Sequence, residues 1–204
     1  PQIEDFVKKK SLLFDLESKC ILFITRNCDP RFFGITYEDA GKVFEASLLC
    51  AKRNSIHVFV KHHPRDARMD FWRNIQSKFD NVTEVTKSLN SFTDPIGFVL
   101  CLYTSACLLF TARGVPVFDV SPYKGDVSKL PFHYLNRSGG ITHELIEYGM
   151  CDRVDILPDF FDHIDEDYLF EVASRQLDAL LFHFPLDSYS IIDVELKKIV
   201  YDVV

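Results

Sequence analysis

Two short clusters in this chain bring chemically capable residues to equivalent places in the pattern. Lys61-His62-His63-Pro64 closes the apolar run Ile56-His57-Val58-Phe59-Val60, and Tyr103-Thr104-Ser105-Ala106 closes a second run further on. Each sits where a strand pattern gives way to a helix pattern. In an open α/β sheet that is the edge at which ligands bind, because helix N-termini there present unpaired N–H groups and a partial positive charge. A cation, an imidazole and two hydroxyls at such an edge suit a phosphate group. Taken singly, His62 and His63 could cap a strand, and Thr104-Ser105 could N-cap a helix. Their shared position favours a phosphate site, since binding residues gather on loops held by rigid elements.

The elements that must position these clusters alternate along the chain. Lys19 to Thr25 is a continuous apolar run, the mark of a strand buried on both faces. After the loop Arg26-Asn27-Cys28-Asp29-Pro30, helical spacing from Tyr37 to Arg53 puts Ala40, Val43, Phe44, Ser47, Leu48 and Ala51 on one face. Strands are expected at Ser55 to Val60, Val82 to Thr86, Phe98 to Tyr103 and Val115 to Val120. Helices are expected at Ile3 to Glu17, Ala67 to Phe79 and Ser105 to Arg113, the last stopped by Gly114; Ser91 to Gly97 reads as a turn or short helix. Beyond Ser121 the pattern loosens into a loop punctuated by Pro122, Gly125, Pro131 and Gly139-Gly140. A short helix near Ile141 to Tyr148 and a longer one from Glu166 to Phe184 follow it, and Ile191 to Val204 reads equally as helix or strand. Five strands alternating with helices predict a doubly wound, mostly parallel, Rossmann-like α/β sheet with helices on both faces. No internal repeat and no second domain emerges from positions 1–204, so a single domain is expected.

Composition narrows the function classes. At 204 residues, with 47% hydrophobic positions, the chain can bury one sizeable core and is not a disordered polypeptide. The net charge of −7 argues against a nucleic-acid binder, which would cluster Lys and Arg; the only basic run, Lys8-Lys9-Lys10, reads as a solvated helix face. No apolar stretch approaches the roughly 18 residues that a membrane-spanning helix needs, no signal-peptide layout opens the chain, and a cytoplasmic protein is expected. Six cysteines, at 20, 28, 50, 101, 107 and 151, show neither a CxxC pair nor zinc-type spacing and read as reduced, structural thiols. Cys20 and Cys101 are expected to be buried and inert, and Cys28, in a polar loop, to be reactive.

The ordered set of strand, Lys61-x-His63-Pro64, helix, short strand, strand, Thr104-Ser105, helix and Gly114-Val115-Pro116-Val117 resembles the C-terminal nucleotide-binding half of GT-B glycosyltransferases. It is similar in particular to bacterial surface-polysaccharide enzymes: sialyl- and polysialyltransferases, capsule Kdo transferases and CDP-glycerol glycerophosphotransferases. The resemblance covers residues 19 to 120. It implies a metal-independent transfer of a sugar from a CMP- or CDP-activated donor, sialic-acid-like, to a polysaccharide or glycolipid acceptor. By that resemblance His63 hydrogen-bonds the departing phosphate or protonates it, stabilising charge that grows in the transition state. Pro64 fixes the turn that aims the ring, and Thr104, Ser105 and the N–H groups after them hold phosphate oxygens. Lys61 adds a point charge or else stabilises the strand end. Arg26 and Asn27 face the donor from the first strand's edge, Asn27 serving equally well as a turn residue.

Departures from that pattern bear on the donor's ribose. Related capsule enzymes carry an acidic residue in the helix after the hydroxyl motif, whereas Ala106-Cys107-Leu108-Leu109-Phe110-Thr111 has none. Asp119 and Glu144 remain as ribose candidates beside capping or surface roles. His143-Glu144 begins like a zinc H-E-x-x-H site, but position 147 is Glu, so the second imidazole is missing and no metal is expected. A GT-B enzyme also needs an acceptor-binding Rossmann-like half, which in sialyltransferase-like members supplies the base. The chain, beginning at Pro1, therefore reads as the donor half of a longer enzyme, with peripheral membrane association of the whole. The alternative is a nucleotide-binding or regulatory module without transferase activity.

Overall fold

The computed structural model describes residues 15, 18–28, 35–122 and 145–183. Expectations for the N-terminal helix, the Lys8-Lys9-Lys10 run, the Gly139-Gly140 loop, His143, Glu144 and the segment after His183 lie outside the described residues.

Six strands form one all-parallel sheet in the order β3-β2-β1-β4-β5-β6. The strands are β1 (Cys20–Ile24), β2 (His57–Lys61), β3 (Val82–Glu84), β4 (Phe98–Cys101), β5 (Val117–Asp119) and β6 (Asp152–Arg153). The helices are α1 (Tyr37–Arg53), α2 (Met69–Gln76), α3 (Leu108–Thr111), α4 (Leu157–His163) and α5 (Glu166–His183), with 3-10 turns at Leu89–Ser91 and Ser105–Cys107. This is a doubly wound, Rossmann-like α/β fold whose strand order reverses between β1 and β4.

Alternation along β1 builds two cores. Ile21 and Phe23 join Phe44 and Leu48 of α1, Trp72 and Ile75 of α2, and Leu157 and Phe161 of α4. Leu22 and Ile24 face the other way, toward Phe92, Phe110, Met150 and Leu177. Burial on both faces is why β1 and β4 read as unbroken apolar runs. The start of α1 is set by Thr36, whose hydroxyl oxygen accepts the Asp39 N–H at 3.0 Å.

Where the expected elements differ, tertiary contacts decide. The expected helix from Ser105 to Arg113 is a 3-10 turn followed by the single α-turn of α3. Gly114, at φ 71°, turns the chain out of it. The strand β6 has no apolar pattern, being Asp152-Arg153. It is pinned instead by the Arg175 guanidinium of α5, which forks onto the Asp152 carboxylate at 3.0 and 2.6 Å. Beside it, the buried Gln176 amide accepts the Val117 N–H at 2.8 Å and donates to the Val117 carbonyl at 2.7 Å, doing a strand's work where β5 extends beyond β6. Helix α4, which the sequence pattern does not announce, is held by Phe160 and Phe161 packing their rings on Phe98, at centroid distances of 5.5 and 5.9 Å.

Candidate functional site

The carboxyl ends of β1, β2, β3 and β4 surround a pocket of about 280 Å³. Its lining includes Thr25 after β1, Lys61, His63 and Pro64 after β2, Ser88 and Asn90 after β3, and Thr104 and Ala106 after β4. The two clusters distant in sequence therefore share one cavity, at the switch point where open parallel sheets bind ligands.

His63 is oriented by its own turn. The Asp66 N–H donates to the His63 carbonyl at 3.0 Å, closing a four-residue turn with Pro64 in the second position, where a fixed φ is favourable. The Arg65 N–H donates to His63 Nδ1 at 3.2 Å. With Nδ1 an acceptor, the neutral ring carries its proton on Nε2. Burial, reinforced by the Arg26 and Arg65 charges, holds the His63 pKa below the ordinary imidazole value. His63 is thus a neutral hydrogen-bond donor at neutral pH.

His62 is buried and fully engaged. Its Nε2 lies 3.1 Å from Gln76 Oε1 and its Nδ1 lies 3.1 Å from the Thr25 hydroxyl. Burial lowers its pKa, so the ring is a neutral strut linking β1, β2 and α2. Lys61 is engaged as well: its ammonium donates to the carbonyls of Val85, Thr86 and Lys87 at 3.2, 3.3 and 2.7 Å. All three donors are used. Of the two roles open to Lys61, the structure displays strand-end stabilisation, fastening the loop after β3 that carries Ser88 and Asn90.

Thr104 is buried, and its hydroxyl oxygen accepts the Ala106 N–H at 3.3 Å, starting the turn that Ser105 heads. The residue before it is strained. Tyr103 has φ 24°, a conformation that a bulky side chain rarely adopts. Contacts on every side impose it. The Tyr103 N–H donates to Asp119 Oδ2 at 3.0 Å and to Ser121 Oγ at 2.8 Å, its carbonyl accepts Arg26 at 2.8 Å, and its hydroxyl donates to the Asn27 carbonyl at 3.3 Å. Arg26 also lies over the Tyr103 ring, 5.3 Å from its centroid.

Arg26 and Asn27 accordingly stand at the switch point without lining the pocket. Asn27 Oδ1 lies 2.7 Å from the Tyr37 hydroxyl, which is also 2.5 Å from Asp66 Oδ1. Asp66 Oδ2 accepts the Trp72 indole N–H at 2.6 Å. Asp119, a ribose candidate from sequence, is wholly buried and caps the β4 exit; besides Tyr103 it accepts the Ser121 N–H at 2.8 Å.

Two cysteine expectations change. Cys28 is buried, and desolvation pushes its thiol up to about 12, so its polar neighbours in sequence do not make it reactive. Cys20 is half-buried rather than enclosed. Thr25, Ser88 and Asn90 join the site without having been singled out from sequence. Their signal is the position of each just past a strand's carboxyl end. Among the described residues, no carboxylate lines the pocket.

Fold and site define a doubly wound α/β protein with a pocket at its strand-order reversal, mostly apolar in surface, into which a few polar groups are set. No protein-family model and no curated protein matches the chain. Among the described residues, no helix is long and apolar enough to cross a membrane.

Proposed function

We propose that the chain is the donor-nucleotide domain of a metal-independent GT-B glycosyltransferase, using a CMP- or CDP-activated sugar. The observation that supports this best is the shared pocket of His63 and Thr104 at the reversal of strand order. In this reading the donor phosphate sits between the His63 Nε2–H and the Thr104 hydroxyl, with Ser105 heading the turn beside it. Charge growing on the phosphate as the glycosyl group departs would meet a preorganised donor in a partly dry site. Ser88 and Asn90 offer hydroxyl and amide groups for the rest of the nucleotide. The acceptor glycan and the base would come from a second Rossmann-like domain, and the whole enzyme would work in the cytoplasm at the membrane face.

The second reading is a nucleotide-binding module without transferase chemistry, consistent with a pocket in which, among the described residues, no carboxylate stands to deprotonate an acceptor. Calorimetry with CMP, CDP, UDP and GDP tests the common premise, and transfer assays on the full-length protein separate the two readings. Cytidine nucleotides are expected to bind more tightly than guanosine nucleotides. If none binds better than about 1 mM, the pocket is not a nucleotide site.

A further inference from the structure

We propose that Cys101, Cys107 and Cys151 form a three-sulfur site for a soft, thiophilic metal ion of the Cu(I) type. Their Sγ atoms lie within 4.8 Å of one another, and all three residues are fully buried. The sulfurs arrive from separate segments. Cys101 ends β4, Cys107 ends the 3-10 turn, and Cys151 directly precedes β6, with β5 lying between β4 and β6 in the sheet. Their meeting is a product of the fold, which is why the spacing in sequence shows no metal pattern.

One buried thiol packs as a small apolar residue and calls for no ligand. Three whose sulfurs converge make a donor set, and thiolate sulfur selects soft ions over magnesium or calcium. The number of donors narrows the choice. Among the described residues no histidine, carboxylate or further thiol completes the group, whereas structural zinc takes four ligands in a tetrahedron. Cu(I) is content with three sulfurs in a plane. The core cluster that holds the three sulfurs, with Ile24, Val99, Leu108 and Val117 among its members, is apolar and would keep water and oxidants from the ion, and the buried Asp119 carboxyl stands near Cys107 and Cys151.

Coordination exchanges S–H for metal–sulfur bonds, the protons passing to solvent and no electron changing hands. Because the site is closed, loading accompanies folding or a local opening. Cys101 and Cys107 bracket Thr104 in the chain, so an occupied site would fix the segment that carries Thr104. The inference itself does not depend on what the neighbouring pocket binds.

The test is an anaerobic titration of the reduced, metal-free full chain with Cu(I) against a chromophoric Cu(I) chelator, followed by X-ray absorption of the loaded protein. Expected are retention of a single Cu(I) per chain, three sulfur neighbours without nitrogen or oxygen, and a higher unfolding temperature. Cys107→Ser should surrender the ion to the chelator, while Cys20→Ser and Cys50→Ser should keep it. No retention, fewer than three sulfur neighbours, a preference for four-coordinate zinc, or retention by Cys107→Ser equal to wild type would each overturn the assignment. Should Cys107→Ser fail to fold, the sulfur count on the wild-type chain decides alone.

Discussion

The carboxylate of Asp119 accepts the backbone N–H of Tyr103 at 3.0 Å, tying the end of β5 to an aromatic residue held at positive φ at the exit of β4. Tyr103 precedes Thr104, so the clamp on its N–H sets where the pocket's hydroxyl stands. Two backbone N–H groups favour the Asp119 anion, but complete burial opposes it more strongly, and the pKa is pushed up to about 6.

Asp119 therefore makes stability depend on pH in a direction opposite to that of a salt-bridged carboxylate. Its folded pKa exceeds its unfolded value near 4, so the folded state binds the extra proton between them. Stability from this group is fully present below about pH 4 and is lost as pH rises through about 6, a difference on the order of 3 kcal/mol. Urea unfolding across this range should give wild type a downward slope that Asp119→Asn lacks, on top of a general loss in the variant, whose amide turns a donor toward one of two N–H groups. Parallel pH profiles for the two proteins would show that Asp119 does not titrate in this window.

In the proposed reading His63 is a neutral donor to phosphate, and that role fixes how binding would depend on pH. With its pKa below the ordinary value, the ring is uncharged at neutral pH and gains a proton only in acid. Calorimetry with a CMP-sugar, whose phosphodiester keeps one charge throughout, should show affinity rising only at pH below the ordinary imidazole range, because a phosphate prefers the imidazolium. His63→Ala should weaken binding, remove the acid limb, and cost the proposed transferase on the order of 3 kcal/mol in the transition state. His63→Ala with unaltered CMP affinity would dissociate this ring from the phosphate.

The structure predicts that Lys61 contributes through architecture. Its ammonium already holds three carbonyls of the segment after β3, and Lys61→Met would leave the part-buried Val85 carbonyl and the two exposed ones beside it without their donor. A loss of about 1 to 3 kcal/mol in unfolding free energy is expected. The dependence of CMP binding on ionic strength should change little, since the ammonium is turned onto three carbonyls rather than onto the proposed phosphate. A flattened salt dependence at unchanged stability would return Lys61 to the ligand.

How far the sequence discloses this molecule depends on whether a feature is local. Strands β1 and β4 are legible because a strand enclosed on both faces must be apolar at every position, and α1 because Thr36 and its apolar stripe lie within one segment. The turn of His63 and Pro64 is equally local. By contrast β6 is two charged residues whose order comes from Arg175 and Gln176, on a helix that follows it in the chain. The carbonyls that occupy Lys61 and the hydroxyl that engages His62 belong to the segments just after neighbouring strands, so no spacing within the 61–64 cluster announces them.

Cys28 supplies the sharpest contrast between local reading and tertiary setting. Its neighbours Arg26, Asn27 and Asp29 promise an exposed thiol, yet the thiol is buried and desolvation raises its pKa to about 12. A thiol reacts through its thiolate, and this one is almost wholly protonated at neutral pH. Under native conditions a maleimide should therefore modify the half-buried Cys20 before Cys28. The same label applied in urea should reach both. Adding Asp66→Asn, which removes a carboxylate that helps raise the Cys28 pKa and that accepts the Trp72 indole N–H, should speed labelling of Cys28 by loosening its cover. Rapid labelling of Cys28 in the folded wild-type chain would mean that the loop after β1 opens on its own, and Arg26 and Asn27 would then be free to reach a nucleotide in the pocket.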